Sequence, residues 1–185
     1  NAAASGQRAE AQRLLARAEA AAPDHPLVLN ARAVDLLQTG DAARAREYLE
    51  RAVAIDAGSA SLWTNLATAC RALGKRDDEE RALQAALERE PRHLLALLQK
   101  AELLEARGQK KAAARVYHNA LQTIPANARL PNVLREPVSR AFEAVRRNDE
   151  ALSAHIEAGL RDIRAGHSAD ELDRADHALA AFLGK

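Results

Sequence analysis

A spacing of 34 residues recurs along the first two thirds of this chain, and it constrains the fold more than any other feature of the sequence. A fixed period of this length is typical of repeat proteins, in which each unit buries its apolar face only by stacking on its neighbours. The chain is therefore expected to form a stack of similar units. The columns that keep the spacing include Gly40, Gly74 and Gly108; Ala33, Ala67 and Ala101; Ala52, Ala86 and Ala120; and Leu49, Leu83 and Tyr117.

Each unit is expected to contain two helices. The chain is rich in Ala, Leu, Arg and Glu, which favour helix, and only 3% of its residues are aromatic, so small aliphatic side chains must build the core. The glycine column falls where the first helix ends, because glycine enters a left-handed conformation at little cost. The alanine columns predict close helix crossings, and Pro91 and Pro125 are expected to end second helices. The predicted fold class is all-α.

The order of residues within one unit resembles the tetratricopeptide repeat, whose pattern is Trp, Leu-Gly, Tyr, then Ala, Phe and Pro over 34 residues. The matching positions in the middle unit are Trp63, Leu66, Ala67, Cys70, Leu83, Ala86 and Pro91. The resemblance implies a solenoid of helical hairpins. It also has departures, since alanine replaces the consensus glycine at 33, 67 and 101 and Glu79 replaces a small residue. Cys70 falls in the tyrosine column, where a small buried hydrophobe is expected.

The period divides the chain into repeats and a tail. Residues 1–127 are predicted to form the repeats, with the second half of an earlier repeat at 1–25 and full repeats at 26–59, 60–93 and 94–127. Residues 128–185 lose the period but stay helical in pattern, and they predict a C-terminal cap of three helices. Pro131 and Pro137 mark a helix start or a kink, Asn148 is expected to cap a second helix that ends at Gly166, and Ser168 opens a third. A separate functional unit is the alternative interpretation of this tail.

Two stretches of the tail carry a second resemblance. They read LREPVSRAFEAVRRNDEALSAHIEAGL from Leu134 and DRADHALAAFLG from Asp173. An alanine-rich repeat array followed by such a tail looks like the region that precedes the catalytic domain in bacterial aspartyl/asparaginyl beta-hydroxylase-like proteins, which are iron- and 2-oxoglutarate-dependent dioxygenases. The resemblance implies a catalytic domain after Lys185. Because the sequence contains no methionine, we also expect it to be a piece of a longer chain.

Composition and motifs argue against several functions. With 27 basic and 26 acidic residues the net charge is +1, which favours neither nucleic acid nor a membrane surface as partner. No apolar run is long enough for a membrane span, and we expect a cytoplasmic protein. No phosphate loop, metal-spaced cysteine pair or nucleophile elbow is present. His155 and Glu157 would point about 200° apart on a helix, so they do not form a metal site. The sequence thus predicts no catalytic residue, no metal and no cofactor.

The resemblance to tetratricopeptide repeats implies a concave groove lined by the first helix of each hairpin, which would take a protein or peptide ligand. Amide side chains suit an extended peptide because they both donate and accept hydrogen bonds, and Asn65 is expected to be the central contact. Of the basic clamp that holds a C-terminal carboxylate in some relatives, only Asn65 matches, while Leu95 and Gln99 stand where cations would be. The candidate ligand residues are Asn30, Val34, Thr64, Asn65, Thr68, Arg71, Leu95, Leu98, Gln99 and Glu102.

Two alternatives to ligand binding remain open at this point. The polar groove residues could solvate an unoccupied groove, or the tail helices could fill it. In either case the chain would be a structural or self-association scaffold with no peptide ligand.

Overall fold

The computed structural model describes residues 2–125 and 131–166. In that part of the chain every regular element is an α-helix, as the repeat pattern predicts. The helices are α1 (Ala2–Ala21), α2 (Pro26–Thr39), α3 (Ala42–Ile55), α4 (Ala60–Ala72), α5 (Arg76–Arg89), α6 (Leu94–Ala106), α7 (Lys110–Leu121) and α8 (Asn132–Gly166).

Helices α2 to α7 form three antiparallel hairpins that turn on the predicted glycines. Gly40, Gly74 and Gly108 have φ angles of 87°, 69° and 76°, in the left-handed region that glycine adopts without steric cost. Helix starts are capped by side chains, including Ser59 at α4 and His93 at α6, each of which accepts a backbone N–H three residues ahead. The prediction that these glycines end the first helices is therefore confirmed.

The hairpins stack into a solenoid, with α3 packing on α4, α5 on α6 and α7 on α8. The alanines of the two 34-residue columns, at 33, 67, 101, 52, 86 and 120, are all fully buried. Cys70 is also buried, as expected. Small side chains at these crossings let the helix backbones approach closely, which is how a core with few aromatics fills its space.

The core consists of two clusters. One is built mainly from α2 to α5, and the other from α6, α7 and α8. The side chain of Leu87 on α5 packs against both clusters. Because α8 packs on α7 and also contacts α6, it takes the place that the first helix of a further hairpin would have.

The predicted helix boundary at Asn148 is wrong, because α8 runs without a break from Asn132 to Gly166. An N-cap residue marks the start of a helix only where the residues before it are not helical. Between Pro137 and Gly159 no residue breaks a helix, and Asn148 is followed by Asp149, Glu150 and Ala151. Asparagine inside a helix costs only a few tenths of a kcal/mol. The third predicted helix, from Ser168, lies outside the described residues.

None of the described helices combines the length and the apolar character needed to cross a membrane.

Candidate functional site

Asn30 and Asn65 join two neighbouring first helices. Asn65 Nδ2 on α4 donates to Asn30 Oδ1 on α2 over 2.7 Å, and both side chains are half-buried. The bond uses one donor and one acceptor. Within the described residues no side-chain hydrogen bond engages Asn65 Oδ1 or Asn30 Nδ2, so this pair retains an acceptor and a donor at the surface.

The next link joins α4 to α6. Gln99 Nε2 donates to Thr68 Oγ1 over 2.9 Å, and the Thr68 hydroxyl donates to the Thr64 carbonyl over 3.2 Å. Gln99 is only 6% exposed, and its Oε1 atom accepts no hydrogen bond from the described residues. A buried acceptor without a donor costs about 1–3 kcal/mol. Gln99 Oε1 is therefore a buried acceptor that lacks a hydrogen-bond donor.

Arg71 is the centre of the third link. Its Nε donates to Glu79 Oε1 over 2.7 Å, and its Nη1 donates to Glu102 Oε2. Arg71 also donates from Nη2 to the Gln99 carbonyl over 3.4 Å. Glu102 accepts in turn from Arg140 Nη1 on α8, over 3.3 Å. Arg140 also pairs with Glu136 of its own helix, so two guanidinium groups and three carboxylates meet across α4, α5, α6 and α8.

Glu79 lies in a charged run at residues 75–81, which spans a turn and the start of α5. Asp77 and Asp78 of this run lie in the first turn of that helix. The Glu79 side chain, however, is 3% exposed and pairs with Arg71. A charged residue replaces the small residue of the repeat pattern here because the half-buried Arg71 guanidinium compensates its charge.

We call the set of bonded side chains on this face the polar ladder. It crosses the first helices α2, α4 and α6 and reaches α8. Each member is held by a hydrogen bond, so little rotamer freedom would be lost when a ligand binds. The polar ladder consists of Asn30, Asn65, Thr68, Gln99, Arg71, Glu102 and Arg140.

Two of the predicted groove residues are not available on this face. Thr64 is fully buried and donates its hydroxyl to the Ala60 carbonyl over 2.8 Å. Leu98 is 1% exposed and belongs to the cluster of α6, α7 and α8. Both occupy the same position of successive repeats, where packing against the neighbouring helices covers the side chain. Val34 and Leu95 are half-buried and form apolar parts of the same face.

Sequence reasoning missed Arg140 and the pair formed by Tyr117 and Glu105. Arg140 lies beyond the last repeat, so no column could have placed it beside Glu102. Tyr117 is fully buried, and its hydroxyl donates to Glu105 Oε2 over 2.9 Å. Burial, together with that hydrogen bond, raises the pKa of Tyr117 well above its ordinary value. This pair therefore links α6 to α7 beneath the surface.

The described residues contain no group of three His, Cys, Asp or Glu side chains that could hold a metal ion. The chemistry that the polar ladder offers is recognition, through amide, hydroxyl and guanidinium groups.

Stacked hairpins with small residues at each crossing and glycine at each turn define a helical-repeat solenoid. More particularly, the first two hairpins are similar to the tetratricopeptide repeat. Family models described as tetratricopeptide repeat match residues 28–69 and 60–93. Tetratricopeptide repeats are thus confirmed over these residues, and the half repeat at 1–25 and the repeat at 94–127 stay predictions. No curated protein matches the chain.

Solved structures share this fold. The type III secretion chaperone SycD of Yersinia enterocolitica, in complex with a peptide of the translocator YopD, is 15% identical with a TM-score of 0.59, over 66% of this chain and 91% of that one. The first TPR of Spaghetti (RPAP3), bound to an HSP90 peptide, is 20% identical with a TM-score of 0.57, over 69% and 95%. MamA is 18% identical with a TM-score of 0.58, over 88% and 90%. At these identities the likeness concerns the fold.

Proposed function

We propose that the chain is a protein-binding module that holds an extended peptide along the polar ladder. The observation that carries the proposal is the Asn30–Asn65 pair, in which a bonded amide pair keeps one donor and one acceptor at the surface. An extended peptide backbone presents donors and acceptors in alternation, which matches such a pair.

Two structures of this fold support the proposal, because SycD is in complex with a YopD peptide and the first TPR of Spaghetti is bound to an HSP90 peptide. The charges of the polar ladder argue for the middle of a peptide as the ligand, not for its C-terminal carboxylate. Arg71 is already paired with Glu79 and Glu102, and Leu95 and Gln99 offer no cation.

The finer part of the proposal concerns what the bound peptide is for. We propose that the module positions a protein substrate for an aspartyl/asparaginyl beta-hydroxylase-type domain in the parent protein. This part rests on the resemblance of the tail alone. The sequence of the parent gene beyond Lys185 tests it, since a β-rich segment with an iron-ligand pattern would support it and a stop codon soon after would contradict it.

A scaffold without a ligand is the competing function, because the Asn30–Asn65 and Arg71–Glu102 bonds also hold neighbouring hairpins together. The two functions differ in the effect that removing a surface amide has on ligand affinity. Under the binding proposal, Asn65→Ala leaves a ligand group unsatisfied and weakens binding by about 1–3 kcal/mol. That is roughly five- to 150-fold in Kd.

The experiment screens a peptide library against the wild type and then measures Kd for the selected peptides. Asn119→Ala is the matched control, since Asn119 is an exposed amide on α7, away from the polar ladder. The proposal predicts weaker binding to Asn65→Ala and unchanged binding to Asn119→Ala. Equal affinity for both variants, or a library without any ligand, would contradict it and favour the scaffold.

A further inference from the structure

A cleft of about 660 Å³ lies between the first turns of α7 and the middle of α8. This volume falls within the roughly 300–1,000 Å³ of typical ligand sites. Glu105 at the end of α6 closes one side, and it is not a member of the polar ladder. The α8 residues that line the cleft begin at Ala144 and end at Ala151, so the cleft lies further along α8 than Arg140.

The cleft is strongly basic. Among the described residues that line it, four are cations, namely Lys110, Lys111, Arg115 and Arg147, and one, Glu105, is an acid. Glu105 already accepts a hydrogen bond from Tyr117. Within the described residues none of the four cations forms an ion pair, and Arg147 bonds only the carbonyl of Glu143 on its own helix.

The start of α7 adds to this positive potential. A helix N-terminus carries partial positive charge and normally attracts acidic residues, as at α5, whose first turn holds Asp77 and Asp78. The first turn of α7 instead holds Lys110 and Lys111, and the N-cap residue Gln109 makes no side-chain capping bond. Nothing on α7 itself offsets the charge, so an anion in the cleft would be stabilised by both the lysines and the helix.

The remaining lining residues favour a peptide over a nucleic acid. Ala144, Asn148 and Ala151 recur at helical spacing on one face of α8, and their small or short side chains leave a groove beside the cationic groups. None of the described lining residues is aromatic, so this part of the cleft offers bases no stacking surface. The guanidinium groups of Arg115 and Arg147 match carboxylates through paired hydrogen bonds.

We propose that this cleft binds an acidic peptide segment of a partner protein. Arg115 and Arg147 bind its Asp or Glu carboxylates, Lys110 and Lys111 supply the positive field, and the alanines of α8 contact its small apolar side chains. The site is separate from the polar ladder, so the protein would hold two peptide segments at different places.

The test uses the full chain and a fluorescein-labelled synthetic octapeptide of alternating Glu and Ala, with alternating Gln and Ala as the uncharged comparison. Anisotropy should show binding of the Glu peptide only. Lys111→Glu and Arg147→Glu should each weaken binding more than tenfold. Arg135→Glu, an exposed charge reversal near the start of α8, should change it less than twofold. Circular dichroism verifies that all three variants keep the helical content of the wild type.

Several outcomes would overturn the proposal. One is equal binding by the two cleft variants and by Arg135→Glu. Another is loss of binding in Asn65→Ala, which would place the probe on the polar ladder. Tighter binding of oligothymidylate through the same cations would assign the cleft to nucleic acid. If the probe binds only after Asp170, Glu171, Asp173 and Asp176 are replaced by their amides, the occupant is the chain's own tail and not a partner.

Discussion

Asn65 Nδ2 donates to Asn30 Oδ1 across 35 positions of sequence, over 2.7 Å, so the residue proposed to contact a ligand also ties one repeat to the next. The sequence alone predicts that removing Asn65 leaves stability unchanged, because a groove residue does not build the core. The hydrogen bond changes that expectation. An internal hydrogen bond contributes about 0.5–1.5 kcal/mol to the free energy of unfolding.

A double-mutant cycle with Asn30→Ala and Asn65→Ala measures this contribution. We expect a coupling of about 0.5–1.5 kcal/mol from urea unfolding. The pair Asn30→Ala and Asn119→Ala, which are far apart, should be additive within about 0.5 kcal/mol. Additivity in both cycles would show that the amide pair contributes nothing to the contact between repeats.

Ala67 and Ala86 test the register of the hairpins, since both are fully buried where helices cross. Replacing either with Leu overpacks the crossing and should cost about 1–3 kcal/mol. Ala72→Leu, at the exposed end of α4, should stay within about 0.5 kcal/mol of the wild type. Thermal melts of the three variants give the comparison, and unchanged melting of both Ala67→Leu and Ala86→Leu would reject the register.

Glu79→Gln removes the negative charge that pairs with Arg71 at the boundary of the core. Breaking a fully buried pair costs about 3–5 kcal/mol, but Arg71 is 37% exposed and keeps Glu102. We therefore expect a loss of about 1–3 kcal/mol in the free energy of unfolding. Glu80→Gln provides the control, because Glu80 is 53% exposed and its pair with Arg107 contributes about 0–1 kcal/mol. A larger loss for Glu80→Gln than for Glu79→Gln would refute the buried role.

Tyr117 predicts a dependence of stability on alkaline pH. Its pKa is raised in the folded protein, chiefly by burial, above the value of 10.0 expected of an exposed tyrosine. The folded state therefore keeps a proton that the unfolded chain loses. The corresponding stability is fully present below pH 10 and is lost as the pH rises above it.

We expect the melting temperature of the wild type to fall more steeply above pH 10 than that of Tyr117→Phe. Tyr48→Phe should follow the wild type, because Tyr48 is the chain's other tyrosine and is only half-buried. Tyrosinate absorbance of Tyr48→Phe, in which Tyr117 is the remaining tyrosine, gives an independent reading, because the Tyr117 hydroxyl should ionise only when the protein unfolds. Ionisation of Tyr117 before unfolding would contradict the prediction.

The parts of the fold that follow from local chemistry could be predicted from the sequence. Gly74 ends a helix because its backbone can adopt a left-handed conformation, and a small residue is needed at Ala67 because two helices cross there. Both requirements recur in each repeat, so the 34-residue period identifies both residues. Thr64 and Glu79 could not be placed in the same way. Whether Thr64 faces solvent depends on how closely the next hairpin lies, and Glu79 is tolerated only because Arg71 reaches it from another helix.

The site was least predictable where the period ends. Arg140 joins Glu102 from a helix that belongs to no repeat, and Asn148 carries a capping signal that its neighbours override. Both depend on the continuous path of α8, which no single residue specifies. The basic cleft depends on the same path, because its residues come from three helices and are brought together only by packing.

The position of Leu87 affects the cooperativity of unfolding. It packs against both apolar clusters, so it joins the two halves of the stack, together with α6 residues such as Ala96 and Leu103 and the ion pairs of Arg71. In a linear array each unit responds only to its neighbours, and cooperativity travels through such shared contacts. Leu87→Ala should therefore lower the free energy of the contact between the two halves more than it lowers the stability of either half. Amide hydrogen exchange would then show α7 and α8 opening as one foldon while α2 to α5 remain protected.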